Sequence, residues 1–186
     1  MRTKRFSIFL MIKLLLSRYN LESGSYNGDY VPVTWETCWL REWMNNIFYK
    51  EAFSSAEKKM IQTTTVINED NPRGTPGGND TEDKVFALSY SELIRYFSTG
   101  TDENGKPVFD GAALKTTCLS DTRPDYFYEG EVVPSAVQEP DYYWLRTPGS
   151  LQESYAMVVW PDGGVMTTGD AVFQTRGYRP ALWVKE

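Results

Sequence analysis

One stretch carries apolar residues at helical spacing more clearly than any other. Trp39, Leu40, Trp43, Met44, Ile47 and Phe48 form the stripe of an amphipathic helix that buries one wide face. They predict a helix over about 35–50, with Thr34 as N-cap and Glu36 in the first turn, packed near Leu182 and Trp183. Ser54-Ser55-Ala56-Glu57 is a capping box, so a second helix is expected over about 55–62, with Met60 and Ile61 as its apolar contacts. Ser89 and Glu92 repeat the box ahead of Leu93, Ile94 and Phe97. The β-branched run Thr63–Ile67 and the apolar run Lys84–Leu88 read as strands, separated by a turn-rich loop from Asn71 to Asp83.

Beyond Gly100 the periodicity fails until Pro140, which marks a long loop that is functional or draped over the core. The last 45 residues or so read as an antiparallel meander over 142–186. Tyr142–Arg146 and Tyr155–Trp160 are strands, Pro161-Asp162-Gly163-Gly164 has hairpin chemistry, and Val165, Val172 and Tyr178–Val184 complete the sheet. At the amino end, Arg2, Lys4 and Arg5 precede an apolar run from Phe6 to Leu16, the outline of a targeting segment. Lys13 interrupts the run, no small-x-small site follows, and the run is too short to span a bilayer, so a buried strand or hairpin over 6–19 is the expectation. Early helices and late strands make the fold class α+β, in one domain over 1–186.

Composition narrows the function. The chain has 186 residues, 41% apolar and 24% charged, enough to bury a core without a metal or disulfide frame. Nineteen basic against 25 acidic side chains leave a net charge of −6, which argues against a nucleic-acid partner. There is no histidine, so no Ser-His-Asp or Cys-His machinery and no His-containing zinc site can form within one chain. Cys38 and Cys118 cannot build a four-thiolate site either; they could form one disulfide, but two ordinary thiols are the expectation. No cofactor or metal is expected.

Several local patterns carry little chemistry. Gly74-Thr75-Pro76-Gly77-Gly78 lacks the Gly-Lys-Ser/Thr of a phosphate loop. Asp80, Glu82 and Asp83, with Glu69 and Asp70, form an acidic stretch without calcium-loop spacing, and Asn79-Asp80-Thr81 is a glycosylation triplet. Arg146 and Arg179 sit among aromatic and apolar neighbours, where a guanidinium needs carbonyl or carboxylate partners.

Five segments in fixed order resemble a bacterial family, domain of unknown function 6273, common in gut Firmicutes. They are Val33–Cys38 with Leu40–Asn45, Ala52–Ser54, Gly77–Thr81 with Asp83–Phe86, Trp144–Gly149, and Arg179–Trp183. The resemblance implies kinship with the C-type-lectin-like group, which includes formylglycine-generating enzymes and variable proteins of diversity-generating retroelements. It implies two early helices packed on a small twisted antiparallel sheet, with long irregular loops, and a cell-surface or secreted setting. The paired C-terminal cysteines of the enzyme members have no counterpart here. The sugar-binding triplets of the calcium-dependent members are also missing, although Glu139-Pro140-Asp141 comes near one.

Between Gly149 and Arg179, loop residues interrupt framework positions, as in the retroelement proteins. Gln152, Glu153, Met166 and Gln174 lie outside what adenine randomisation of an Asn codon can reach, so active diversification of this copy is not expected. The expected function is non-enzymatic recognition of a protein or glycan, with no membrane span. Its expected site joins Tyr155, Trp160, Met166, Phe173 and Gln174 to a polar surround of Leu151, Gln152, Glu153, Thr167, Asp170 and Thr175. The alternatives are a hydrolase or transferase using carboxylates near Asp80–Asp83, and a structural module of a surface or phage assembly.

Overall fold

The strand-forming C-terminal third builds the main sheet of this computed structural model, which describes residues 6–10, 13–20, 31–114, 117–118, 127–128, 131–132, 142–151 and 153–185. The strands are β1 (Phe6–Leu10), β2 (Lys13–Arg18), β3 (Thr64–Val66), β4 (Thr81–Asp83), β5 (Ser98–Thr101), β6 (Pro107–Phe109) and β7 (Thr117–Cys118). After them come β8 (Phe127–Tyr128), β9 (Glu131–Val132), β10 (Tyr143–Pro148), β11 (Tyr155–Val159), β12 (Val165–Ala171), β13 (Thr175–Tyr178) and β14 (Ala181–Lys185). The helices are α1 (Trp39–Trp43), which runs through a π turn (Met44–Phe48) into α2 (Tyr49–Ala52), then α3 (Ser55–Met60), α4 (Tyr90–Phe97) and α5 (Gly111–Leu114). The fold is mixed α+β.

The main sheet has the order β12-β11-β10-β13-β2-β7. Only β10, β11 and β12 form the expected meander. β13 instead returns on the far side of β10 and runs parallel to it, Tyr143 opposite Gly177 and Trp144 opposite Tyr178. Pro180 has no N–H to extend that ladder, and after it β14 pairs with β1 in a separate ribbon. The amino-terminal run is therefore two strands with different C-terminal partners, since β2 pairs with β13. It is not a hairpin.

Side chains alternate across the sheet and paired residues share a face. One face carries Trp144 and Tyr178, and the early segment packs there: Tyr19 meets Trp144 edge-on at 5.6 Å and Trp43 meets Tyr178 at 5.5 Å. Trp43 meets the rings of Tyr178 and Phe48, and Trp183 packs against the same core cluster. The other face carries Tyr143, whose hydroxyl donates to the Leu114 carbonyl of α5 at 3.3 Å.

The first helix starts later than expected. Cys38 is its N-cap, with Sγ accepting the Arg41 N–H, while Thr34–Thr37 form a separate turn. The π turn then shifts the stripe: Leu40, Trp43, Met44 and Phe48 are buried, and Ile47 is 48% exposed. That turn holds Asn45, whose Oδ1 accepts the N–H groups of Lys84 and Val85. Lys84–Leu88 is accordingly no strand. It is extended and mostly buried, but its backbone is satisfied by Asn45, by Arg146 and by one bridge between Phe86 and Ala181. Both capping boxes form as read, at Ser54/Glu57 and Ser89/Glu92.

Candidate functional site

The acidic stretch is built into the structure. Asp83 is buried and accepts from Trp35 Nε1 at 2.9 Å, Arg41 Nε at 2.8 Å and Thr81 Oγ1 at 2.7 Å. Asp80 accepts the Asn68 backbone N–H, Asp70 accepts that of Gly77, and Glu82 bonds Thr65 on the surface. These carboxylates serve separate structural bonds, and no group of three or more His, Cys, Asp or Glu among the described residues is placed to hold a metal ion. Cys38 is a free buried thiol pushed up to about 12 by burial, which makes it inert as a nucleophile.

Arg146 is the hub expected of a guanidinium in apolar surroundings. It pairs with Glu92 through both terminal nitrogens and donates to the carbonyls of Ile67 and Ala87. Arg179 donates to the Ala113 carbonyl, and its guanidinium lies 5.9 Å from the centre of the Tyr143 ring.

An open cleft of about 630 Å³ lies beside the C-terminal hairpin. The β11–β12 turn, Asp162–Gly164 with Val165, makes one wall, and the end of the β5–β6 hairpin, Lys106–Phe109, makes another. Gly163 sits against the backbone of Gly111 at φ +92, where a Cβ would come within 2.7 Å of Gly111 Cα, so the β11–β12 turn packs closely against the start of α5. Asn71 holds a further side, its Nδ2 donating to the carbonyls of Pro148 and Thr167. Within the cleft the Tyr90 and Phe109 rings meet edge-on at 6.2 Å, and Val108 is 43% exposed. Burial raises the Tyr90 hydroxyl above its ordinary pKa, so it stays a neutral donor. Arg73 and Lys106 supply positive charge, and Asp162 is engaged by the Gly164 N–H.

The residues expected in the site separate into several places. Trp160, Met166 and Asp170 share one sheet face, because Met166 pairs with Val158 and Asp170 with Ala156. Tyr142 and Arg176 join them: Arg176 bonds Asp170 at 2.8 Å and covers the Tyr142 ring, which lies 5.8 Å from the Trp160 ring. Tyr155 pairs with Ala171 on the opposite face. Leu151, 60% exposed, donates its N–H to Thr168, and Thr167 lines the cleft. Glu153 is exposed beside Val33, and Phe173 and Gln174 occupy the half-buried turn before β13. Gln152 and the Thr175 side chain lie outside the described residues.

The sequence reading missed Arg73, Tyr90, Lys106 and Phe109. Their only signal was a set of turns around Pro72 and Gly105, which does not show that two distant loops meet.

The family model for Domain of unknown function (DUF6273) matches residues 12–186. No curated protein and no solved structure matches the chain.

Proposed function

For a chain that belongs to the DUF6273 family, we propose a non-catalytic recognition domain that binds a protein ligand through an acidic segment carrying aromatic or apolar side chains. The reading rests on the cleft beside the C-terminal hairpin. Its Tyr90–Phe109 pair and exposed Val108 offer apolar contact, while Arg73 and Lys106 select for carboxylates. Its walls are hairpin ends and turns held by a sheet, so their side chains can change without disturbing the core. The same proposal takes the fold to be C-type-lectin-like, supported by early helices packed on a mixed, mainly antiparallel sheet.

A peptide array probed with the full chain tests this. Capture is expected to concentrate on acidic peptides with aromatic residues. The double substitution Arg73→Glu with Lys106→Glu should abolish it at unchanged thermal midpoint, since both changes are on the surface. Capture that survives charge reversal would exclude this cleft.

A further inference from the structure

We infer that a second cleft, separate from the one above, binds a short neutral saccharide. It encloses about 500 Å³ between β3 and α4, within the range of small-molecule sites of about 300–1,000 Å³. Its floor is Arg146 with Glu92. All five N–H donors of Arg146 are engaged, Nε with Ile67 O, Nη1 with Ala87 O and Glu92, and Nη2 with Ile67 O and Glu92. A saturated, charge-paired floor holds the cleft's shape and offers nothing to an anion.

The rim has a different character. Glu69 and Arg95 line it, one of each sign, and neither has an ion-pair or side-chain hydrogen-bond partner among the described residues. Arg95 stacks on the ring of Tyr96 at 5.5 Å, and Tyr96 and Trp183 supply the aromatic surface of the cleft. Thr63 and Thr64 add hydroxyls along the edge of β3.

Chemistry selects the ligand. A carboxylate and a guanidinium are planar groups that each engage two adjacent hydroxyls, one by accepting and the other by donating. Aromatic faces take the C–H surface of a pyranose ring. For a singly charged ligand the attraction to one rim group is offset by repulsion from the other, so the hydroxyl-matching groups and the aromatic surface decide, and they favour an uncharged polyol. This inference does not depend on the protein-binding cleft, which shares no lining residue with it.

The test is a titration of the ¹⁵N-labelled full chain with maltose, cellobiose and N,N′-diacetylchitobiose, and with glucuronate as an anionic control. At least one neutral sugar should give saturable shifts at the Trp183 indole and around Arg95. Glu69→Gln and Tyr96→Ala should each weaken that sugar at least tenfold at unchanged thermal midpoint, and Arg73→Glu with Lys106→Glu should leave it unaltered. Absence of shifts with all three neutral sugars, tighter binding of glucuronate, or full affinity in Glu69→Gln and Tyr96→Ala would overturn the site. None of these results bears on peptide capture, so the two readings fail independently.

Discussion

Asp83 accepts from four side chains, Trp35, Arg41, Asn45 and Thr81, with no exposure of its own. It ties the turn before α1, α1 itself, the π turn and β4 to one another. In the sequence it is one of several acids in a loop, as good a candidate for chemistry as Asp80 or Glu82. Its partners Arg41 and Trp35 lie 42 and 48 positions away, and nothing local announces them. The two arginines were more legible, because a guanidinium among aromatic neighbours has few ways to be satisfied. Asp83→Ala leaves a half-buried guanidinium and a buried indole N–H without their acceptor. Loss of one partner of a buried pair costs about 3–5 kcal/mol, and denaturant unfolding should show this loss. A change under about 1 kcal/mol would mean that water takes over the contacts.

Among the elements, those whose signal is local were the ones the sequence revealed. Ser54/Glu57 and Ser89/Glu92 specify two helix starts within four residues, and both boxes form. The π turn was illegible, because what accompanies it is the docking of Asn45 onto Lys84 and Val85 from another part of the chain. The bulge in β12 belongs to the same class. Register steps between Ala156↔Asp170 and Val158↔Met166, leaving 167–169 opposite Met157. Gly169 makes this possible: at φ +80 its missing Cβ would lie 2.7 Å from Ala156 O and from Gly149 Cα. Gly105 has a similar φ of +75 with no atom within 4 Å of a built Cβ, so it separates backbone strain from packing. Gly105→Ala should cost about 1–2 kcal/mol, the left-handed penalty alone. Gly169→Ala should cost about 1–3 kcal/mol more, through overpacking. Equal losses in urea titrations of the two variants would show that Gly149 and Ala156 yield without strain.

At the scale of the molecule, the class α+β follows from helices early and strands late, but the path of the chain does not. Apolar runs bounded by Pro and Gly turns mark β10 and β11 as strands, and the hairpin turn between β11 and β12 marks the start of the next. They cannot say that β13 will cross to the far side of β10, or that β14 will leave the sheet for β1. Those choices rest on pairing between segments separated by most of the chain. They make the amino-terminal run the cover for β14. β1 pairs along all of β14, from Phe6↔Lys185 to Leu10↔Ala181, while the opposite edge of β14 is held by single bridges at Ile61 and Phe86. Deleting residues 1–11 should therefore open one edge of β14 and leave β2 in the main sheet. An open strand edge is a template for pairing with another chain. The deletion should lower the thermal midpoint by about 4–8 °C, taking a loss of about 2 kcal/mol at about 2–4 °C for each. It should also produce a dimer that grows with concentration in light scattering. A truncated chain that stays monomeric with an unshifted midpoint would show that the bridges to Ile61 and Phe86 hold β14 unaided.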